Sequence, residues 1–214
     1  MSQELVRTDT GCWIPPNFTP PAGFKMGIGC VIEDDVAIGS DVRLGHRVIL
    51  KSGTVIMDDV EMGDCAQTTG ICVIGNHVRI RTGSCVSKSV ILNDWVFVAA
   101  GVMTSHTKNI YHGRPAMKPR QFITRVGYGA VVGSRTCMMA GVSIAPGSIV
   151  GYDSNVVGDL DTLFGVYFGN PARLRTVLTG DHPWRIAVPE GYVPHEFDGT
   201  LLEKYLPYYS GDQD

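Results

Sequence analysis

Aliphatic side chains return at every sixth position over most of this chain. Counting by sixes from Met26 to Val98, twelve of thirteen positions hold an aliphatic residue or Met, the exception being Thr68. The count pauses and resumes at Val126, from which all six positions to Val156 qualify. An α-helix would place every sixth residue on alternating sides, and a half-buried strand would alternate every second residue. The pattern therefore predicts neither element in its ordinary form.

Two further classes of residue follow each of these anchor positions. Small or β-branched residues occur four positions after an anchor, and glycine is common one position after it, at Gly27, Gly39, Gly45, Gly63, Gly75, Gly127, Gly133 and Gly151. Short strands joined by corners, with three hexapeptides in each ~18-residue turn, place both apolar rows inside a triangular solenoid. We expect the glycines to serve corners with unusual φ and ψ. Nineteen counted hexapeptides predict about six coils.

The rows of anchors suggest three regions. Residues 1–25, rich in proline, are expected to form an irregular lead-in that caps the first coil. Residues 26–161 are expected to form the solenoid, and residues 104–125 interrupt the repeat as an external loop. Residues 162–214 are expected to form an irregular, aromatic-rich tail that packs on its own coils or on a neighbouring subunit. Thr200 and Glu203 form a capping-box pattern for one short helix in this tail.

The spacing resembles the hexapeptide-repeat, left-handed parallel β-helix, an all-β fold. The segments "VFVAAGVMTSHTKN" and the run closing on "GNPAR", Gly169 to Arg173, resemble the second halves of bacterial sugar acyltransferases. The loop after Val102 is similar to that of N-acyltransferases acting on nucleotide-linked amino sugars, although Ser105-His106 replaces their Asn-Asp pair. A histidine on this loop instead resembles the O-acetyltransferases and antibiotic acetyltransferases. The resemblance implies acetyl-CoA as acyl donor and a homotrimer.

Composition and charge narrow the class of protein further. The formal net charge is −3 and the pI about 6.0, which argues against a nucleic-acid or membrane-surface partner. The first residues lack the apolar core of a signal peptide, and no apolar run is long enough for a membrane span. A cytoplasmic protein is the expectation. The six cysteines are dispersed without a CxxC pair, so we interpret them as small buried residues rather than as a metal or redox motif.

The end of the first repeat run supplies a candidate base. Acyl transfer needs a group that takes the acceptor's proton, and histidine titrates near neutrality. His106 lies where the rigid coil passes into the long loop, so we predict it to be the general base. His112, on the same loop, is the alternative.

Other residues are candidates for binding substrates. For the acceptor these are Asp94, Ser105 and Arg114; Asp94 would orient the histidine or hold the amine, and the basic loop would attract an anionic sugar nucleotide. A backbone N–H at Ala140 or Gly141 would stabilise the oxyanion. The resemblance implies pantetheine along the coils, for which Ala140, Gly141, Ala145 and Gly158 are candidates. Arg173 and Arg175 would bind the CoA phosphates.

These residues favour one function and leave others open. The first is a CoA-dependent acyltransferase, acting on the amine of an amino sugar. O-acetylation of a sugar or antibiotic hydroxyl is the alternative. A metal hydratase of the γ-carbonic-anhydrase kind would need three converging histidines, with His46 or His77 joining the two loop histidines. A scaffold without catalytic activity is the remaining possibility. We predict no metal ligands.

Overall fold

Short strands recur along the whole repeat and stack into the three faces of a triangular prism. The computed structural model describes residues 4–109, 111–118, 120–187 and 190–193. Its strands, in chain order, are β1 (Val6–Arg7), β2 (Trp13–Ile14), β3 (Lys25–Met26), β4 (Val31–Ile32), β5 (Ala37–Ile38), β6 (Arg43–Leu44), β7 (Ile49–Leu50), β8 (Thr54–Ile56), β9 (Glu61–Met62), β10 (Gln67–Thr68), β11 (Cys72–Ile74), β12 (Arg79–Ile80), β13 (Cys85–Val86), β14 (Val90–Leu92), β15 (Phe97–Val98), β16 (Met103–Thr104), β17 (Thr124–Val126), β18 (Val131–Val132), β19 (Cys137–Met138), β20 (Ser143–Ile144), β21 (Ile149–Val150), β22 (Asn155–Val156), β23 (Gly165–Phe168) and β24 (Arg173–Val177). None of the ranges given above contains a helix long and apolar enough to cross a membrane.

Within the regular repeat, each of the three sheets takes every third strand. Sheet A runs β1-β2-β4-β7-β10-β13-β16-β19-β22, sheet C runs β5-β8-β11-β14-β17-β20, and sheet B runs β3-β6-β9-β12-β15-β18-β21-β23-β24. Pairing is parallel except at the two ends, where β1 meets β2 and β24 meets β23 antiparallel. The chain passes from sheet A to C to B in each turn. This confirms the predicted all-β, left-handed parallel β-helix.

The solenoid has about eight turns, two more than the hexapeptide count predicts. Trp13 already pairs with Val31, and Ile14 keeps the sixfold register with Met26, but Pro20 hides the anchor between them. At the other end Ile149 pairs with Val166, one residue short of the regular spacing. The periodic count therefore misses the outer coils, because their sequences depart from the anchor pattern while their backbones still pair.

The interior consists of stacked anchor side chains. The one polar anchor of the count, Thr68, has hydrogen-bond partners inside the core. Most anchors and their small partners belong to one buried cluster along the prism, which supplies the main stabilising term. Thr68 is 1% exposed and lies 2.7 Å, Oγ1 to Oγ1, from the buried Thr54. Its hydroxyl also accepts the N–H of Lys51 at 3.0 Å. A polar anchor is tolerated because the hydroxyl has partners inside the core.

The glycines next to the anchors have a different role from the expected one. Positive φ occurs three positions after the anchor, for example at Gly29 (φ 69) and Asp35 (φ 57), and not at the glycines one position after it. A Cβ on Gly133, one of those glycines, would lie 2.5 Å from the backbone nitrogen of Tyr152 in the next coil. These glycines are therefore needed for close stacking of coils, and the expectation of unusual φ at them was wrong.

A row of side-chain oxygens ties neighbouring coils together where sheet C passes to sheet B, which we call vertex CB (residues 93–95, 127–129 and 145–147 and their equivalents in other coils). Asp58 accepts the N–H of Ser40 at 2.7 Å, and Asn76 accepts the N–H of Asp58 at 3.1 Å. Asp94 continues the row by accepting the N–H of Asn76 at 2.7 Å. Backbone donors that β pairing leaves over are satisfied in this way.

The tail begins with β23 and β24 of sheet B, and its described residues after them pack back on the prism along vertex CB. The Arg185 guanidinium lies 3.9 Å from the ring centroid of Phe164. Ile186 packs so closely on Gly129 that a Cβ there would lie only 2.7 Å from its Cδ1. Tyr192 reaches the corner of Asp94. Residues 180–187 and 190–193, which we call the strap, therefore pack on the chain's own coils. The predicted short helix at Thr200–Glu203 lies outside the described residues.

Candidate active site

His106 lies at the corner where sheet A would pass to sheet C, which we call vertex AC (residues 87–89, 105–106, 139–141 and 157–159). It follows β16 and is half-buried. Burial lowers the pKa of His106 below its ordinary value, and the Lys88 ammonium, one coil earlier on this vertex, lowers it further. Both effects disfavour the imidazolium. The ring is therefore kept in the neutral form that accepts a proton.

The backbone leading to His106 is fixed by hydrogen bonds from both neighbouring coils. Ser87 donates its N–H to Thr104 Oγ1 at 2.7 Å and its hydroxyl to the Thr104 carbonyl at 2.6 Å. Ser105 donates its N–H at 3.0 Å and its hydroxyl at 3.3 Å to the carbonyl of Met138. His106 thus starts from a rigid edge of the prism, as a positioned base requires.

The loop closes into a narrow neck directly after His106. Thr107 and Gln121 form an antiparallel bridge. Asn109 Oδ1 accepts the N–H of Arg120 at 2.9 Å, and Asn109 Nδ2 donates to the carbonyl of Lys118. The interruption of the repeat is therefore a loop that leaves and rejoins the prism at one corner.

The neck is seated on vertex AC by an aromatic ring. A Cβ on Gly141 would lie 2.6 Å from Cβ of Phe122 and 3.4 Å from Cε of Lys108. The Lys108 ammonium lies 4.7 Å from the Phe122 ring centroid, within cation–π distance. Glycine at position 141 therefore makes room for the loop.

A surface groove of about 310 Å³ runs along sheet A beside this neck. Ser105 and Thr107, the two neighbours of His106, both line it. The rest of its lining comes from three coils and the loop: Met103, Thr104, Lys108, Cys137, Met138, Met139, Asn155 and Val157. An apolar groove with a few polar groups next to a half-buried histidine is a typical place for a small substrate.

The chain is related in sequence to part of larger enzymes. No family model matches it. It is 27% identical over 166 residues to the bifunctional protein GlmU of Heliobacterium modesticaldum, and 27% over 194 residues to that of Pelobacter propionicus. These matches cover 74% and 81% of this chain but only 34% and 39% of the relatives. The chain spans little more than a third of the length of these proteins.

Two solved structures have a similar fold. A mutant of AntD, an N-acyltransferase from Bacillus cereus in complex with dTDP and coenzyme A, matches with a TM-score of 0.56 at 15% identity, covering 74% of this chain and 84% of AntD. The polysialic acid O-acetyltransferase OatWY also matches with 0.56 at 15% identity, covering 86% and 97%. The chain has the fold of a hexapeptide-repeat, left-handed parallel β-helix.

In this hexapeptide-repeat protein, four of the predicted donor-side and acceptor-side residues share vertex AC with His106. They differ in what they offer a ligand. Ala140 is buried, and the N–H of Gly141 already donates to Thr124 Oγ1 at 2.9 Å. Gly158 is exposed, with no atom within 4 Å of where its Cβ would be. Ser105 lines the groove, and its hydroxyl faces the Met138 carbonyl.

Asp94 and Ala145 lie on vertex CB, a different corner of the β-helix from His106. Asp94 is fully buried; its Oδ1 accepts from the N–H and the side-chain amide of Asn76, and its Oδ2 accepts from Tyr192. The N–H of Ala145 is paired with the carbonyl of Leu160 at 2.8 Å. Because one turn takes 18 residues, a separation of twelve places Asp94 two-thirds of a turn before His106. The period of the repeat alone therefore predicts that Asp94 and His106 lie on different corners of the prism.

The predicted arginines are exposed and lie apart from one another. Arg173 and Arg175 are on β24, which closes sheet B at the last coil. Arg114 lies in the loop, and its guanidinium donates to the His112 carbonyl at 2.8 Å. None of these three arginines lines the groove.

The two histidines on the coils, His46 and His77, have structural partners. His46 Nδ1 accepts the N–H of Ile28 at 3.1 Å, and His77 Nδ1 lies 2.9 Å from Asp59 Oδ2. Across the described ranges, no three His, Cys, Asp or Glu come together as metal ligands. The converging histidines that the hydratase alternative needs are not found there.

Sequence reasoning missed the groove itself and the residues that frame it. Lys108, Phe122, Met139 and Asn155 were not candidates, since the loop path and the outer face of sheet A leave no periodic signal. The position of Lys108, two residues after His106, was the one available indication.

Proposed function

We propose that this chain is a CoA-dependent acyltransferase that transfers the acetyl group of acetyl-CoA to the amine of a nucleotide-linked amino sugar. The observation that carries the proposal is that both neighbours of the half-buried His106 line a groove along the coils of a β-helix. The GlmU relatives and the fold shared with AntD and OatWY support the class of reaction. The working form is proposed to be a homotrimer.

His106 would act as the general base. As the acceptor nitrogen attacks the thioester carbonyl, a C–N bond forms and the neutral imidazole takes the amine proton. When the tetrahedral intermediate collapses, the C–S bond breaks and the imidazolium returns a proton to the CoA thiolate. The lowered pKa of His106 suits the first step, because the ring is neutral near pH 7.

Backbone and basic groups would hold the two substrates. The vertex at Ala140 and Gly141 is the proposed place for the thioester, and the N–H of Gly141 would exchange Thr124 for the oxyanion. Gly158 leaves open space for the pantetheine arm, with Ala145 as a further backbone contact. Arg173 and Arg175 would meet the CoA phosphates. On the acceptor side, Ser105 and Arg114 remain proposed contacts, whereas the burial of Asp94 and its bonds to Asn76 and Tyr192 favour a structural role for that residue.

Release of CoA tests the proposal directly. The purified protein is mixed with acetyl-CoA, a thiol reagent and a panel of free and nucleotide-linked amino sugars, and products are weighed by mass spectrometry. Hydroxylamine lability separates an O-acetyl ester from an amide. His106→Ala should abolish most of the turnover and His112→Ala should not. The proposal fails if no acceptor releases CoA and no CoA thioester binds.

The assembly is tested separately by light scattering. We expect a mass three times that of the 23.2 kDa chain. A monomer with full activity would rule out the trimer and leave the proposed acyl-transfer reaction standing.

A further inference from the structure

One continuous part of the chain carries only positive charge. No aspartate or glutamate occurs between Asp94 and Asp153, whereas six basic residues do: Lys108, Arg114, Lys118, Arg120, Arg125 and Arg135. The whole chain has a formal net charge of −3, so this stretch is positive within a protein that is negative overall. It contains His106 and most of the groove. A ligand that is drawn to this region by its charge is an anion.

Among the described residues that line the groove, Lys108 is the one that carries a charge. Its ammonium is held over the Phe122 ring, and Phe122 rests on Gly141, so the charge is placed beside the groove rather than swinging freely. Cation–π contact leaves the ammonium's hydrogen-bond donors available to a ligand. The described residues show no carboxylate within ion-pair distance of it.

The charges on the neighbouring elements do not neutralise this position. Lys88, one coil earlier on vertex AC, is also cationic. Asp159, the acid on this vertex in the last coil, uses Oδ1 to accept the N–H of Ser143. Arg135 is outside the groove lining and pairs with Asp153. An anion in the groove would therefore meet the Lys108 ammonium directly, and the Lys88 charge one coil earlier acts in the same sense.

We propose that Lys108 selects acceptors that carry a phosphate group, which it binds beside the amine that His106 deprotonates. This inference rests on the proposed function. A phosphate could also come from CoA, but the candidate cations for CoA, Arg173 and Arg175, lie on β24 in sheet B. Lys108 lies two residues after His106 and lines the groove. It determines specificity and is not a catalytic residue.

Steady-state kinetics with four proteins tests the proposal. They are wild type, Lys108→Gln, Lys108→Arg and the control Lys25→Gln, which removes the same charge from the exposed β3 of sheet B. Each is assayed with one amino sugar, free and nucleotide-linked. Each acceptor is paired with acetyl-CoA and with the phosphate-free donor acetyl-N-acetylcysteamine.

We expect Lys108→Gln to raise KM for the nucleotide-linked acceptor by about tenfold, the effect of losing one charge-assisted contact. KM for the free sugar and kcat should stay unchanged, Lys108→Arg should restore most of the affinity, and Lys25→Gln should behave as wild type. The effect should persist with both donors.

Three results would overturn the selection of a phosphorylated acceptor. These are an equal loss with free and nucleotide-linked sugars, a loss that disappears with acetyl-N-acetylcysteamine (which would assign Lys108 to CoA), or no loss at all. Calorimetric titration of a nucleoside diphosphate into wild type and Lys108→Gln separates this inference from the reaction. Weaker binding to the variant supports it even if no acyl transfer is found, and equal binding refutes it.

Discussion

The hydroxyl of Tyr192 donates a 2.6 Å hydrogen bond to Oδ2 of Asp94, across 98 residues of sequence. Asp94 is fully buried, and its other oxygen holds Asn76 in the row of vertex CB. The Tyr192 ring stacks on Tyr128 with centroids 6.3 Å apart. Burial, and next the Asp94 carboxylate, raise the pKa of Tyr192, so the phenol remains a donor. One carboxylate thus joins the coil ladder to the strap.

Removing this hydroxyl should loosen the strap and lower stability. Tyr192→Phe deprives a buried carboxylate of one donor, which costs about 1–3 kcal/mol of unfolding free energy. Urea unfolding measures the loss, and trypsin should cut faster after Arg185. Tyr152→Phe is the matched control, since Tyr152 is 69% exposed. Equal stability of the two variants would show that the strap does not depend on this bond.

Replacing Asp94 by Asn should act on stability more than on substrate affinity. The amide nitrogen replaces one carboxylate oxygen and so faces either the donors of Asn76 or the hydroxyl of Tyr192; we therefore expect a loss of about 1–3 kcal/mol with unchanged KM for the amino sugar. Denaturant titration and acceptor kinetics are measured on the same preparation. A stable variant with a raised KM would instead support the acceptor contact proposed for Asp94.

Lys88 should set the pH dependence of the reaction through His106. Its positive charge disfavours the imidazolium, so Lys88→Gln should raise the pKa of His106. The base works only when neutral, and the acidic limb of kcat/KM should therefore move to higher pH. The variant is slower than wild type on that limb and equal to it on the plateau. Profiles of kcat/KM over about pH 5–9 check this shift. Lys51→Gln is the control, because Lys51 pairs with Glu33. An acidic limb that does not move in Lys88→Gln would argue against His106 as the base.

Two glycines on vertex AC should respond differently to the same added methyl group. Gly141 has φ +74 and faces Phe122, whereas Gly158 has open space around its Cβ position. Gly141→Ala should cost about 1–3 kcal/mol through strain and displacement of the loop. Gly158→Ala should leave stability unchanged and raise KM for acetyl-CoA if pantetheine passes there. Thermal unfolding and acetyl-CoA kinetics distinguish the two variants. A Gly141→Ala protein as stable as wild type would contradict the packing of Phe122 of the loop against Gly141.

Much of this architecture could be predicted without coordinates, because the repeat is local and regular. Anchors such as Ile74 and Val132 recur at a spacing that one backbone geometry satisfies, so periodicity alone indicates the interior, the stacking and the interruption after Thr104. The same regularity places His106 at a vertex. The six-residue period is lost where Pro20 replaces an anchor and where the spacing before Val166 is one residue short, although the β-strands still pair there.

Contacts outside the repeat have no such rule, and only the tertiary structure decided them. The sequence by itself determined a hexapeptide solenoid with a histidine at its broken edge, since side-chain size and period act on neighbours in the coil. Which side chains face that histidine depends on the path of an irregular loop, which places Lys108 over Phe122 and Phe122 on Gly141. The return of the strap likewise places the Tyr192 hydroxyl against the buried carboxylate of Asp94, because a carboxylate withdrawn from water needs the donors that folding brings to it.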